Sequence, residues 1–245
     1  MHRVYHKWYS SRLEREMEIL AFGHAGTAAL VFPTSGGRFY EFEDNGMVSA
    51  LAGKIDAGRL QLFCVDSVNS ESWYDRRLPP RLRVARHAQF ESYVLNEVVP
   101  LVREVNGGSG SGGGSGGGQL IAAGCSFGGY HAVNLALRRP EIFSGFVSLS
   151  GAFDLSGFLD GYCDEDCYYH LPTFYLPNLT DEWFLDCYKQ NSFVLASGWD
   201  DVCLAQNQDL DRIMTEKGIA HEFDIWDEPN SHDWPTWRRM AQQYL

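Results

Sequence analysis

Gly124-Cys125-Ser126-Phe127-Gly128 sets a serine between two glycines, in the pattern G-x-S-x-G. A serine hydroxyl is a weak nucleophile at neutral pH until a neighbouring base takes its proton. The bare pattern is loose, because glycine and serine are common, but its surroundings narrow it. Leu120-Ile121-Ala122-Ala123 before it is an apolar run of strand type, and residues 127–138 after it have helical character. A serine on a sharp strand-to-helix turn projects its hydroxyl out of the sheet, and the flanking glycines let strand and helix approach closely. The chemistry implied is nucleophilic acyl transfer. The competing reading is an ordinary glycine-rich turn.

Of the eight histidines, His232 is the best-placed base. It follows the last expected strand, in the loop opened by Pro229-Asn230-Ser231, and precedes the final helix. Carboxyl ends of parallel strands are where a doubly wound sheet gathers its site. His131 sits on the helix after the serine, on the wrong side of a turn, and His170 is placed to line a pocket instead. The bland alternative for His232 is an exposed loop residue capping a helix. An acid must hold the imidazole tautomer and balance the imidazolium. Gly198-Trp199-Asp200-Asp201 follows another strand, in the order nucleophile, acid, base, and both aspartates qualify. Each also fits an Asx turn or a helix cap. Asp224, within a strand, and Asp227, next to the base, rank lower.

An acyl-transfer site also needs donors for a developing oxyanion. The Phe127 N–H stands at the start of a helix, where amides are unpaired and the dipole favours negative charge. A second donor is expected from Pro33-Thr34-Ser35-Gly36-Gly37, with the Ser35 N–H chosen and Thr34 or Gly36 as near alternatives. Losing one such donor typically costs ~2.7–4 kcal/mol of transition-state stabilisation. Trp73, Trp199, Trp234 and Tyr169 are candidates to line the substrate pocket, although most such aromatics are core.

The elements that must position these groups follow from patterning. Residues 4–9, 17–22, 28–32, 60–65, 120–123, 146–149, 193–196 and 222–226 read as strands. Residues 87–105, 127–138, 208–217 and 233–245 read as helices. Residues 155–185 are irregular, aromatic and acidic, which suits a short cap segment. Alternating strands and helices predict one α/β domain over 1–245, a mostly parallel central sheet with helices on both faces. Residues 107–118, GGSGSGGGSGGG, interrupt a helix-to-strand connection with linker composition. They read as an engineered linker, with a natural low-complexity loop as the alternative, and in both readings as a surface insertion without a catalytic role.

With 20 basic against 32 acidic residues the net charge is -12, which repels a polyanion and argues against nucleic-acid binding. No run is apolar enough for a membrane span, the first residues lack a signal-peptide pattern, and a cytoplasmic protein is expected. Six cysteines are scattered without a disulfide framework and read as reduced. Cys163, Cys167 and His170, with acids between them, match no standard zinc spacing, so neither a metal nor a cofactor is expected. Asn178-Leu179-Thr180 fits a glycosylation acceptor, which matters only in an exported protein.

With FPTSGG, the FCVDSVNSESWY stretch, GCSFGG, GWDD and HDWPTW in place, the sequence resembles the esterase D-like esterases of the α/β-hydrolase superfamily. That group includes formylglutathione hydrolases, feruloyl and siderophore esterases and mycolyltransferases. The resemblance covers nearly the whole chain and implies a serine esterase fold and a small-molecule ester substrate. It also implies that the acid is the last residue of G-x-x-D, Asp201 rather than Asp200. The family's His-Gly after the third strand is Pro33-Thr34 here, and residues 107–118 have no counterpart. An acyltransferase with the same residues, or a non-catalytic binding module on the same scaffold, are the alternative readings.

Overall fold

In the computed structural model, residues 1–107, 120–227 and 231–245 are described. The insertion expected at 107–118 lies, apart from Gly107, outside them, as do Pro229 and Asn230 of the histidine loop. One sheet of eight strands takes its members from nearly the whole length: β1 (Arg3–Ser10), β2 (Arg15–Phe22), β3 (Thr27–Phe32), β4 (Leu60–Val65), β5 (Leu120–Cys125), β6 (Gly145–Leu149), β7 (Ser192–Gly198) and β8 (Glu222–Trp226). Their order is β1-β2-β4-β3-β5-β6-β7-β8. Only β2 runs against its neighbours; β4, β3 and β5 to β8 are parallel. This is the mostly parallel sheet that the alternation of elements predicts, in the α/β-hydrolase architecture that the resemblance implies.

Strand residues point alternately to opposite faces, so a strand buried on both sides must be apolar throughout. β3 does this: Ala28, Leu30 and Phe32 join one core, and Ala29 and Val31 the other. The first core is covered by the helices Pro80–Tyr93, Phe127–Arg138 and Leu204–Glu216. The second is covered by three short helices between Glu41 and Asp56 and by the C-terminal helix Trp234–Tyr244 through Trp237, Met240 and Ala241.

Several boundaries differ from the sequence reading. The helix expected from residue 87 begins at Pro80, because proline fits a first helical position while the basic run 81–86 masks the apolar periodicity. Its Arg83 is buried, donating to the carbonyls of Asp75, Arg76 and Phe158. The helix continues through a π-helical turn, Val94–Val98, into Val99–Gly107. Pro100 lies just beyond that turn. It has no N–H to give to the carbonyl four residues back, and a widened turn is one way for a helix to absorb the loss. Within the segment read as irregular there are short helices, Glu165–Tyr169, Pro172–Tyr175 and Glu182–Tyr188, the first and last capped by Asp164 and Asp181. Pieces this brief are too short to show a period.

Chain order reverses direction at β3/β5: from β3 the chain moves to β4 on one side, and from β5 to β6 on the other. A crevice opens beyond the carboxyl ends at such a switch point, and Ser126 follows the end of β5 there. The closeness of the two flanking layers is visible at Gly128, where a Cβ would lie 2.3 Å from the Phe32 carbonyl oxygen. Gly128→Ala is expected to destabilise the protein by at least the ~1–3 kcal/mol typical of overpacking, with a fall of several degrees in Tm by thermal denaturation.

Candidate active site

Ser126 ends β5 in a conformation few side chains adopt, φ 54° and ψ -121°. Left-handed backbone at a non-glycine residue costs on the order of 1–3 kcal/mol and persists only when its surroundings hold it. Here they do. The Ser126 N–H donates to the Leu149 carbonyl at 2.9 Å, and its own carbonyl accepts from Gly129 at 3.0 Å and Ala152 at 3.1 Å. The turn aims Oγ away from the sheet, 3.1 Å from Nε2 of His232. On the other side of the imidazole, Nδ1 is 2.9 Å from Asp201 Oδ1. Three groups separated by 106 and 31 residues thus form one line.

The two adjacent aspartates take different tasks. Asp200 is exposed, and Oδ1 accepts from the Ser231 amide at 3.1 Å and from the Ser231 hydroxyl, clamping the loop that carries His232. Asp201 has a fully buried side chain and faces the imidazole. The glycine of GWDD has its own reason: a Cβ on Gly198 would lie 1.8 Å from Ser231 Oγ. The strand end and the histidine loop therefore meet only because position 198 has no side chain.

Burial works to raise the Asp201 pKa, but the His232 ring, the Ser150 hydroxyl nearby and the Cys203 amide outweigh it, so the carboxyl stays below its ordinary range. The Cys203 amide bond is 2.7 Å. For His232, burial opposes the imidazolium, while Asp201 and the nearby Cys203 thiol favour it more strongly and raise its pKa to about 9. Behind the pair, Trp237 packs edge-on to the His232 ring at 5.0 Å and donates through Nε1 to Ser150 Oγ at 2.9 Å. The sequence reading gives no role to Ser150, itself at φ 55°, and not this one to Trp237. No local signal marks them, since an apolar strand ending in serine is commonplace.

The Phe127 amide opens the helix Phe127–Arg138, where backbone donors lack intrahelical acceptors. Of the candidates in the facing loop, the Thr34 N–H is occupied, donating to Glu41 Oε2 at 2.9 Å. Beside Ser35 stands Tyr74, whose ring packs on Phe127 at 5.1 Å and on Phe158 at 4.9 Å. Tyr74 and Phe158, both packed on Phe127, the residue after the serine, form an aromatic cluster that the sequence reading passes over.

The four aromatics chosen from sequence scatter. Trp73 is completely buried against Tyr130 and His87 and has no face for a substrate; it is core. Trp234 packs on Phe42 and Trp237. Trp199 is about half exposed, on the loop that carries Asp201. Tyr169 borders a different cavity, at the far end of the helix that begins after Ser126. His131 is buried, its Nε2 2.8 Å from Asn69 Oδ1, and His170 is buried beside Arg138.

Cys163 is exposed and Cys167 buried, and the described residues bring neither into a group of metal donors. Two other groups do hold three donor atoms within 4.8 Å. Asp201, Cys203 and His232 belong to the serine site. In the second, His87, Glu91 and His170, both Glu91 oxygens are already taken by Arg138 and Asn134, so a guanidinium supplies the positive charge there.

Residues 65–245 match the model of a family described as "Putative esterase". No curated protein matches the chain by sequence. Among solved structures, a ferulic acid esterase superposes with TM-score 0.73 at 14% identity, covering 100% of this chain and 96% of its own. An S-formylglutathione hydrolase from Agrobacterium tumefaciens gives TM-score 0.70 at 15% identity, covering 99% and 92%. Another from Staphylococcus aureus gives 0.67 at 15% identity, covering 99% and 94%. At these identities the likeness is one of fold.

The electrostatics give a direct check. By NMR, the His232 ring is expected to titrate well above the ordinary 6.5, near about 9. In Asp201→Asn the burial penalty remains and the Asp201 charge is gone, leaving only the Cys203 contribution, so the pKa should fall markedly.

Proposed function

The chain belongs to the esterase family matched above, and on that premise we propose that it hydrolyses carboxylic esters through an acyl-enzyme on Ser126. The observation that carries this reading is the unbroken line of Ser126 Oγ, the His232 imidazole and Asp201 Oδ1, at 3.1 and 2.9 Å. His232 Nε2 takes the serine proton as Oγ bonds to the ester carbonyl carbon, and the carbonyl π pair moves onto oxygen. The Phe127 N–H and a second amide, for which Ser35 is the choice, stabilise that oxyanion. As the oxyanion collapses, the C–O bond to the alcohol breaks and the imidazolium protonates the leaving oxygen. Water repeats the sequence with the acyl-enzyme, and the acid departs while Ser126 recovers its proton. Asp201 remains ionised throughout, holding the tautomer and balancing the imidazolium.

Small-molecule esters fit this reading, with the Tyr74 and Phe158 cluster supporting an apolar or aromatic group beside the serine. Trp199 and Trp234 flank the acid and the base in the chain and are proposed to border the alcohol side of the crevice. All six cysteines are free, which supports a reducing, cytoplasmic setting. Among the described residues no helix is long and apolar enough to cross a membrane.

A fluorophosphonate probe is expected to label wild-type protein and not Ser126→Ala, with turnover of a p-nitrophenyl ester falling by roughly 10⁴-fold or more. A folded Ser126→Ala protein that keeps its turnover would end the proposal. Asp201→Asn should lose kcat by about 10⁴-fold, and Asp200→Asn far less, because it loosens a loop rather than misorienting the base. Only neutral imidazole accepts a proton, so kcat/KM should climb with pH along the His232 titration toward about 9.

A further inference from the structure

The helix that begins beside Ser126 ends at Arg138, roughly 16–18 Å away at ~1.5 Å per residue. Against that far end the segment 166–188 encloses a cavity of about 460 Å³, inside the ~300–1,000 Å³ range of small-molecule sites. Its walls include the rings of Tyr169, Phe184 and Tyr188, and Arg138, His170 and Tyr175 border it from the protein side. None of the serine-site residues lines it.

Two polar groups there are held without being used up. Arg138 is anchored by Nη1, which donates to Glu91 and, at 2.6 Å, to His170 Nδ1. A guanidinium has five N–H donors, and Nη1 supplies two. The three on Nε and Nη2 make no hydrogen bond among the described residues, and the side chain is 30% exposed. That free edge is a planar fork matched to a carboxylate. The second group is the Tyr175 hydroxyl, which is buried without a hydrogen-bond partner in a residue only 7% exposed. By contrast Tyr188, in the same wall, donates to the Leu137 carbonyl at 2.6 Å. A buried hydroxyl without a partner is unfavourable, and a ligand oxygen would pair it.

We propose that this cavity is a second binding site, separate from the serine site, for a small monocarboxylate with an aromatic or apolar body. The carboxylate takes the free edge of Arg138 and the Tyr175 hydroxyl, and the body lies among the three rings. Asp166 and Asp181 also border the cavity. Their charge disfavours a dianion, so the site selects single over double negative charge.

The test is calorimetric titration of 3-phenylpropionate against its neutral isostere 3-phenylpropionamide, with Ser126→Ala protein to exclude turnover. The acid is expected to bind saturably with submillimolar affinity, and the amide at least about tenfold more weakly. Tyr175→Phe removes a hydroxyl that has no partner to lose, so it should fold normally and weaken the acid about tenfold. Thr180→Trp, on the exposed rim, should block the cavity and abolish binding. On the Ser126 background both single variants should keep wild-type ester turnover. Absence of saturable acid binding, equal binding of acid and amide, or acid binding untouched by Thr180→Trp would each overturn the proposal.

Discussion

The serine site depends on a peptide turn that is unfavourable on its own. At φ 54° Ser126 sits where a side chain crowds its own backbone, and the cost must come from elsewhere. It comes from the sheet: the Leu149 carbonyl of the adjoining strand fixes the serine amide, while Gly129 and Ala152 fix its carbonyl. These bonds tie the turn to β6 and to the helix after it. The serine hydroxyl is therefore placed by the packing of the sheet centre, the part of the fold least able to relax.

Around that rigid point Asp201 and His232 are delivered by loops, and loops need restraint. Asp200 and Gly198 supply it together, one bonding Ser231 and the other leaving room for it. Asp201 is then free to be buried. A carboxylate out of water is costly unless its lone pairs are occupied. The Cys203 amide and the His232 ring both bond Oδ1, and with the Ser150 hydroxyl nearby they outweigh burial, so the charge that raises the imidazole pKa is itself kept ionised. Trp237 closes this arrangement from the C-terminal helix, bonding Ser150 and covering His232 with one ring.

At the opposite end of the same helix the protein tolerates a second cluster of buried polarity. Glu91 is fully enclosed, and although burial pushes its carboxyl up, His170, Arg138 and the surrounding hydrogen bonds keep it ionised. His87 is held neutral by burial, its pKa lowered to about 4. The Arg138 cation thus answers the Glu91 anion, with neutral His87 beside them. Removing either charge would strand the other in the core, which makes the pair costly to break whatever its net worth to stability.

The strand-helix order, the elbow at Ser126 and the candidacy of His232 were legible along the chain, because each is a local pattern. Strand apolarity, glycine spacing and position after a strand all act within a few residues. Residues 80–86 were missed because their charges hide the helix, and the cap helices because they are too short to show a period. Aromatic residues were the least legible: nothing near Trp73 distinguishes a ring packed against Tyr130 from one facing a substrate. Which aspartate meets the imidazole, which amide of the Pro33-to-Gly37 loop is already bonded, and where Arg138 and Tyr175 converge are decided between segments tens of residues apart. The amino-acid order settled which residues had the right chemistry. Only packing decided their neighbours, because burial, hydrogen-bond partners and pKa belong to a side chain's surroundings in space rather than to its place in the chain.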